Sequence, residues 1–191
     1  MKTINPSELS PMQVQMILQT AVAPRPIALA STIDKNGNVN LSPFSFFNLF
    51  SSNPPILIFS PARRVRDNST KDTLHNVLEV PEVVIGNVNF DMVQQVSLSS
   101  TEYETGVDEF IKSGLTKKPS ELVKPPLIAE SPVNFECKVI EVKPLGNEGG
   151  AGNLVICEVL KIHIREEFLN EEGNLDQKKL DLVSRLGGNW Y

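Results

Sequence analysis

The sequence predicts a mainly β protein: an antiparallel barrel with short helices packed around it. Three observations lead there. Alternating or continuously apolar segments follow one another closely, four of them before residue 60. Turn residues separate them, most clearly at Asn36-Gly37, where both residues tolerate positive φ. Helical periodicity is confined to short stretches, too few to cover both faces of a parallel sheet.

In chain order, Ser10-Pro11 pairs a cap residue with a proline at the first helical position, and Val14, Ile17 and Leu18 follow at helical spacing. Pro24 and Pro26 then force extended backbone, so Ile27 to Ile33 reads as a strand that turns at Asp34-Lys35-Asn36-Gly37 and returns from Val39 to Ser42. Phe44 to Phe50 reads as one aromatic strand, and Ile56 to Phe59 follows Pro54-Pro55 as a buried one. From Thr70 to Glu79 the spacing becomes helical, with Leu74, Val77 and Leu78 on one face and Ser69 or Thr70 as the cap. Val83 to Val88 returns to strand. Phe90 to Leu98 and Asp108 to Lys112 are short helices in an irregular stretch, ending at Pro125-Pro126, that packs on the barrel. Val133 to Val139 alternates with period two, and Leu154 to Ile164 is a long apolar strand. The loop Gly146 to Asn153 joins them. Despite four glycines it reads as a flexible hairpin tip, because it links two strands and lacks the GKS or GKT ending of a phosphate loop.

The chain of 191 residues suits a single domain spanning 1–191, with 40% hydrophobic and 21% charged residues. A net charge of −5 disfavours nucleic acid as a partner. No run of about 18 apolar residues is present to span a membrane, and the amino terminus lacks the apolar core of a secretion signal, so a cytoplasmic protein is expected. Cys137 and Cys157 lie in apolar alternating runs and read as buried small hydrophobes. With only His75 and His163 to supply imidazole, no metal site is expected and no hydrolase constellation forms.

Two stretches carry potential chemistry. RRVRDNSTKDT, residues 63–73, ends at a predicted helix start, where unpaired N–H groups and the helix dipole favour a phosphate. Lys71 could supply a point charge and Thr73 a hydroxyl, with Arg63, Arg64 and Arg66 on the preceding loop. Read locally, the same residues make a solvated basic loop beside a helix cap. SPFSFFN, residues 42–48, sets Ser45 and Asn48 among rings, a mixture suited to a planar conjugated ligand or to a barrel core with a polar rim.

Taken together, APRPIALASTIDKNGNVNLSPFSFFN (23–48), SSNPPILIFS (51–60), STKDTLHN (69–76), DEFIKSGL (108–115), KPPLIAESPVNFECKV (124–139) and SRLGGNWY (184–191) resemble the flavin reductase-like proteins of the FMN-binding split-barrel fold, including the flavoredoxin branch. That resemblance implies FMN held non-covalently at a homodimer interface. By motif, it implies that Thr32, Ser45, Phe46, Phe47 and Asn48 contact the ring or ribityl chain, and that Lys71, Asp72 and Thr73 hold the phosphate end, with Asp72 capping the helix or fixing Lys71. His163 and Arg185 match recurrent positions near the flavin and are the candidates for steadying charge on it, whereas Arg63, Arg64 and Arg66 fall in a variable loop. The expected activity is an NAD(P)H-dependent flavin reductase, with NADH or NADPH as donor and free flavin, oxygen or a redox protein partner as acceptor. A flavoredoxin-like FMN electron carrier is the alternative. An oligonucleotide-binding barrel is a third reading that net charge and the missing basic-aromatic face oppose.

Overall fold

The computed structural model describes residues 1–104 and 106–191. Helix α1 (Pro11–Ala21) begins with a capping box, in which the Ser10 hydroxyl accepts from the Gln13 N–H and the Gln13 side chain accepts from the Ser10 N–H. After it come the short strand β1 (Arg25–Pro26) and strands β2 (Ala28–Ile33), β3 (Val39–Phe44), β4 (Phe47–Ser52) and β5 (Pro55–Phe59). Helix α2 (Asp72–Glu79), strand β6 (Glu82–Asn87), and helices α3 (Val93–Ser99) and α4 (Glu109–Ser113) follow. The short strands β7 (Lys117–Lys118) and β8 (Leu127–Ile128) lead to the long strands β9 (Val133–Pro144) and β10 (Asn153–Ile164), and then to α5 (Gln177–Leu180) and β11 (Ser184–Arg185).

Seven strands form one antiparallel sheet in the order β3-β2-β6-β9-β10-β5-β4. This order corrects the expectation of a single aromatic strand from Phe44 to Phe50. Phe44 closes β3 at one edge of the sheet, and Phe47 opens β4 at the other, so the chain must break at Ser45-Phe46 to cross between them. The sheet curls until those ends share a core. The Phe44 and Phe59 ring centroids lie 5.3 Å apart, and the Ser60 N–H donates to the Phe46 carbonyl at 2.8 Å. No β3–β4 ladder forms there, so the barrel is split.

Ala28, Ala30, Val83, Ile85, Cys137, Val155 and Cys157 fill the barrel, and Leu74 and Val77 of α2 close it. Burial pushes the Cys137 thiol up to about 12, in keeping with a packing role. The opposite face of β2 and β6 is buried as well, because Leu29 and Val84 pack against Val96 of α3, Phe110 of α4 and Ile128. The irregular stretch is therefore an outer layer on the barrel. Two local expectations need correction. Helix α2 is preceded by Lys71 as its N-cap residue, with no side-chain cap from Ser69 or Thr70, and Asp72 is the first helical residue. The 146–153 hairpin tip is tied down: the Arg63 N–H donates to the Ala151 carbonyl at 2.8 Å, and the Gly150 N–H to the Arg63 carbonyl at 2.9 Å. Glycine lets the backbones approach closely at 149, where a Cβ would stand 3.0 Å from the Arg64 carbonyl oxygen and the Val65 Cα, tighter than an ordinary contact.

Candidate functional site

The break between β3 and β4 opens a cleft of about 570 Å³ between α1, the Phe44–Phe46 corner and the arginine-rich loop. Met12 and Met16 of α1, with Phe44 and Phe46, supply apolar wall, and Ser45 lies between the two rings in sequence. Lys71 reaches in from the start of α2. Its half-buried ammonium stands 5.0 Å from the centroid of the Phe44 ring and makes no hydrogen bond or ion pair among the described residues. Burial first, and then the Arg64 charge, push the Lys71 pKa down, with Glu102 acting the other way.

Arg63, Arg64 and Arg66 also line this cleft, which brings the variable loop into the site. Most of their donors are committed. Arg63 donates to the Asn68 side chain at 2.6 Å and to its carbonyl at 2.8 Å, so it shapes the loop. Arg64 donates to Ser69 Oγ at 3.0 Å and to the Thr70 carbonyl at 2.8 Å through Nη1, and to Glu102 at 2.6 Å through Nε. Arg66 pairs with Asp67 and with Glu102. Among the cations of this wall, Lys71 is the one left without such a partner among the described residues.

Below Lys71, Thr32 and Thr73 are fully buried. Asn76 donates to the Thr32 hydroxyl at 3.1 Å, and the Asn40 amide and Thr73 hydroxyl are bonded at 2.9 Å. These hydroxyls fix α2 to β2 and β3, and so set where Lys71 stands. Asp72 and Thr73 border a small polar pocket that shares Arg64, Lys71 and Glu102 with the cleft. Phe47 and Asn48 lie elsewhere, lining a separate groove of about 240 Å³ with Leu57 and Phe135.

Arg185 borders a pocket of about 140 Å³ that shares Phe44 and Ser45 with the cleft. Its guanidinium stands 4.5 Å over the Tyr191 ring and donates to the Gly188 carbonyl at 2.8 Å. His163 lines neither space. Its Nε2 meets Glu136 Oε1 at 2.6 Å, and the fully buried Glu136 carboxylate also accepts the N–H groups of Glu121 (2.9 Å), Leu122 (2.6 Å) and Val123 (3.0 Å). Burial raises the Glu136 pKa, but these donors overcome it and hold the carboxyl below the ordinary value. The pair latches the outer layer to β9 and β10.

Two residues of the site escaped sequence reading. Arg25 is buried, and it donates to the carbonyls of Gln19 and Val22 at the end of α1, to the Leu186 carbonyl at 2.9 Å and to Ser45 Oγ at 3.4 Å. Burial, and then the neighbouring Arg185 charge, lower its pKa. A signal existed: α1 has no basic residue in its last turn, and Arg25 follows it between two prolines. Glu102 had no such signal, because it lies 36 residues or more from the arginines it pairs with.

The family model described as "Flavin reductase like domain" matches residues 21–180. The chain belongs to that family. An uncharacterized protein of Aquifex aeolicus is 38% identical to it over 170 residues, 89% of this chain and 84% of that one. This flavin reductase-like protein also superposes on nitrilotriacetate monooxygenase component B from Bacillus cereus with a TM-score of 0.91 at 28% identity, over 98% of this chain and 93% of that one. A flavoredoxin of Desulfovibrio vulgaris (Miyazaki F) shares the fold, with a TM-score of 0.73 at 22% identity over 89% of this chain and 87% of that one. Among the described residues no helix is long and apolar enough to cross a membrane, and no His, Cys, Asp or Glu cluster is suited to a metal.

Proposed function

We propose that the protein is an FMN-binding oxidoreductase, an NAD(P)H-dependent flavin reductase that works as a homodimer. The observation that carries this reading is Lys71: a half-buried ammonium without a hydrogen-bonded partner among the described residues, facing a cleft with aromatic and methionine walls. That donor set fits FMN, which has a dianionic phosphate at one end and an apolar ring system at the other. When bound, the flavin would supply the redox chemistry, accepting hydride from NADH or NADPH at N5 and passing electrons to free flavin, oxygen or a protein.

The chain's own residues would bind and orient. Lys71 would neutralise phosphate charge, and Phe44, Phe46 and Met16 would keep water from the ring. Arg185, beside Ser45, is the candidate for steadying negative charge on the flavin. His163, bonded to Glu136, serves the fold in this reading. A second copy of the chain would cover exposed apolar surface that includes Leu49 and Phe50, each 62% exposed.

The first test is pigment. The purified protein should be yellow or take up added FMN, and a colourless protein that fails to bind FMN would sink the proposal. Stopped-flow mixing of the FMN-loaded protein with NADH, and separately with NADPH, should bleach the flavin with at least one of them. Bleaching by neither donor would favour a flavoredoxin-like electron carrier, the reading that the shared flavoredoxin fold supports.

A further inference from the structure

We propose that Glu102 is a placeholder for the phosphate of the bound flavin, a carboxylate that occupies the arginine donors at the cleft until the ligand's dianion displaces it, and so keeps the flavin exchangeable. The proposal rests on the reading of the cleft as an FMN site. Glu102 comes from the loop after α3 and lines the same cleft as Arg64, Arg66 and Lys71. Its two carboxylate oxygens are divided between the arginines, Oε1 on Arg64 Nε at 2.6 Å and Oε2 on Arg66 Nη2 at 3.2 Å.

The division of donors on Arg64 is informative. Nη1 is turned inward to Ser69 and Thr70, where it holds the loop, while Nε is turned to Glu102. Glu102 therefore takes a donor that the loop itself does not use. The Glu102 side chain is 52% exposed and that of Arg66 71%, so this pair is weak and screened by solvent; the shorter bond to Arg64, whose side chain is 27% exposed, is less screened and yields only to an anion that carries more charge. A phosphate monoester is such an anion, with nearly two charges and three acceptor oxygens against one charge and two. Glu102 also acts on Lys71, lifting a pKa that burial lowers. Its withdrawal would free Arg64 Nε beside Lys71, while Asp67 would still hold Arg66, and its return would help expel the ligand.

The test compares the full chain with Glu102→Gln, which keeps the shape and removes the charge, and with Glu102→Ala as a second variant. Equilibrium titrations with FMN and riboflavin, and FMN dissociation by stopped flow, are the readouts. The substitution should tighten FMN about three- to ten-fold, chiefly through slower dissociation, and leave riboflavin within about two-fold. Thermal shift with inorganic phosphate provides an arm free of flavin: at equal concentration, phosphate should stabilise Glu102→Gln more than the wild type. Unchanged or weaker FMN binding in both variants would overturn the placeholder and leave the flavin reading intact. If neither wild type nor variant binds FMN, the flavin reading falls, and the phosphate arm then decides the placeholder: an equal or smaller shift in the variant overturns it.

Discussion

Replacing Lys71 by Met separates the phosphate contact from the packing of the side chain. Methionine keeps an unbranched stem beside Phe44 and removes the charge. In the wild type, no ion pair among the described residues competes for the ammonium, so its full interaction is available to a bound phosphate. A hydrogen bond to a charged group contributes about 1.5–3 kcal/mol, which corresponds to a loss of about 10- to 150-fold in FMN affinity. Riboflavin lacks the phosphate and should change by no more than about two-fold. Stability moves differently. Burial lowers the Lys71 pKa from 10.5, so in the alkaline range the unfolded chain holds this proton more tightly than the folded one. Stability therefore rises with pH as the folded group releases its proton, and at neutral pH the desolvated ammonium opposes folding. Lys71→Met should fold with an unchanged or higher Tm. Fluorescence titration with both flavins, together with a thermal melt, checks the pair of outcomes. Equal weakening of FMN and riboflavin, or a fall in Tm of more than about 4 °C, which is roughly 1 kcal/mol or more for a chain of this size, would refute the reasoning.

Glu136→Gln should destabilise the protein by about 2–4 kcal/mol, because an amide group would face backbone N–H donors that a carboxylate now satisfies. With a urea slope of about 2 kcal/mol per M, the midpoint should fall by about 1–2 M. The Glu136 carboxyl is held below its ordinary 4.5 in the fold, so its contribution is present above that value and lost as pH falls through the folded one. The difference between wild type and variant should accordingly shrink in acid. Arg25→Met should cost about 2–4 kcal/mol in the same assay, since it strips the donor from three backbone carbonyls at the end of α1 and at Leu186. For the homodimer, sedimentation of the Leu49→Asp, Phe50→Asp double variant should show monomer where the wild type sediments as dimer. A wild type that is monomeric at micromolar concentration with flavin bound would remove that proposal.

Local chemistry was readable where a local rule decides it. Ser10-Pro11 starts α1, Asp34 to Gly37 turns between β2 and β3, and the alternation of β9 follows from one face looking into the barrel. The Phe44–Phe50 break was not readable, because both halves have strand chemistry and only the position of β3 and β4 at opposite ends of the sheet forces the corner. The cap of α2 was misjudged for a related reason. Ser69 and Thr70 are good cap residues, but the Ser69 hydroxyl accepts from Arg64 and donates to Asp67, and the Thr70 hydroxyl is bonded to His75 Nε2 at 2.5 Å.

By itself the sequence determined the fold class and the family, and it offered Lys71-Asp72-Thr73 as a candidate phosphate segment, since periodicity, turn residues and motif order are properties of the chain. It could not say which cation is without a partner. Three arginines within four residues look like the anion site, yet the tertiary structure commits most of their donors to Asn68, Ser69, Thr70, Asp67 and Glu102 and leaves Lys71 facing the cleft without a bonded partner among the described residues. His163 is bonded to Glu136 across paired strands by the same kind of decision. Charge is written in the sequence, but whether a charge is spent or available depends on which groups folding brings within about 3 Å of it.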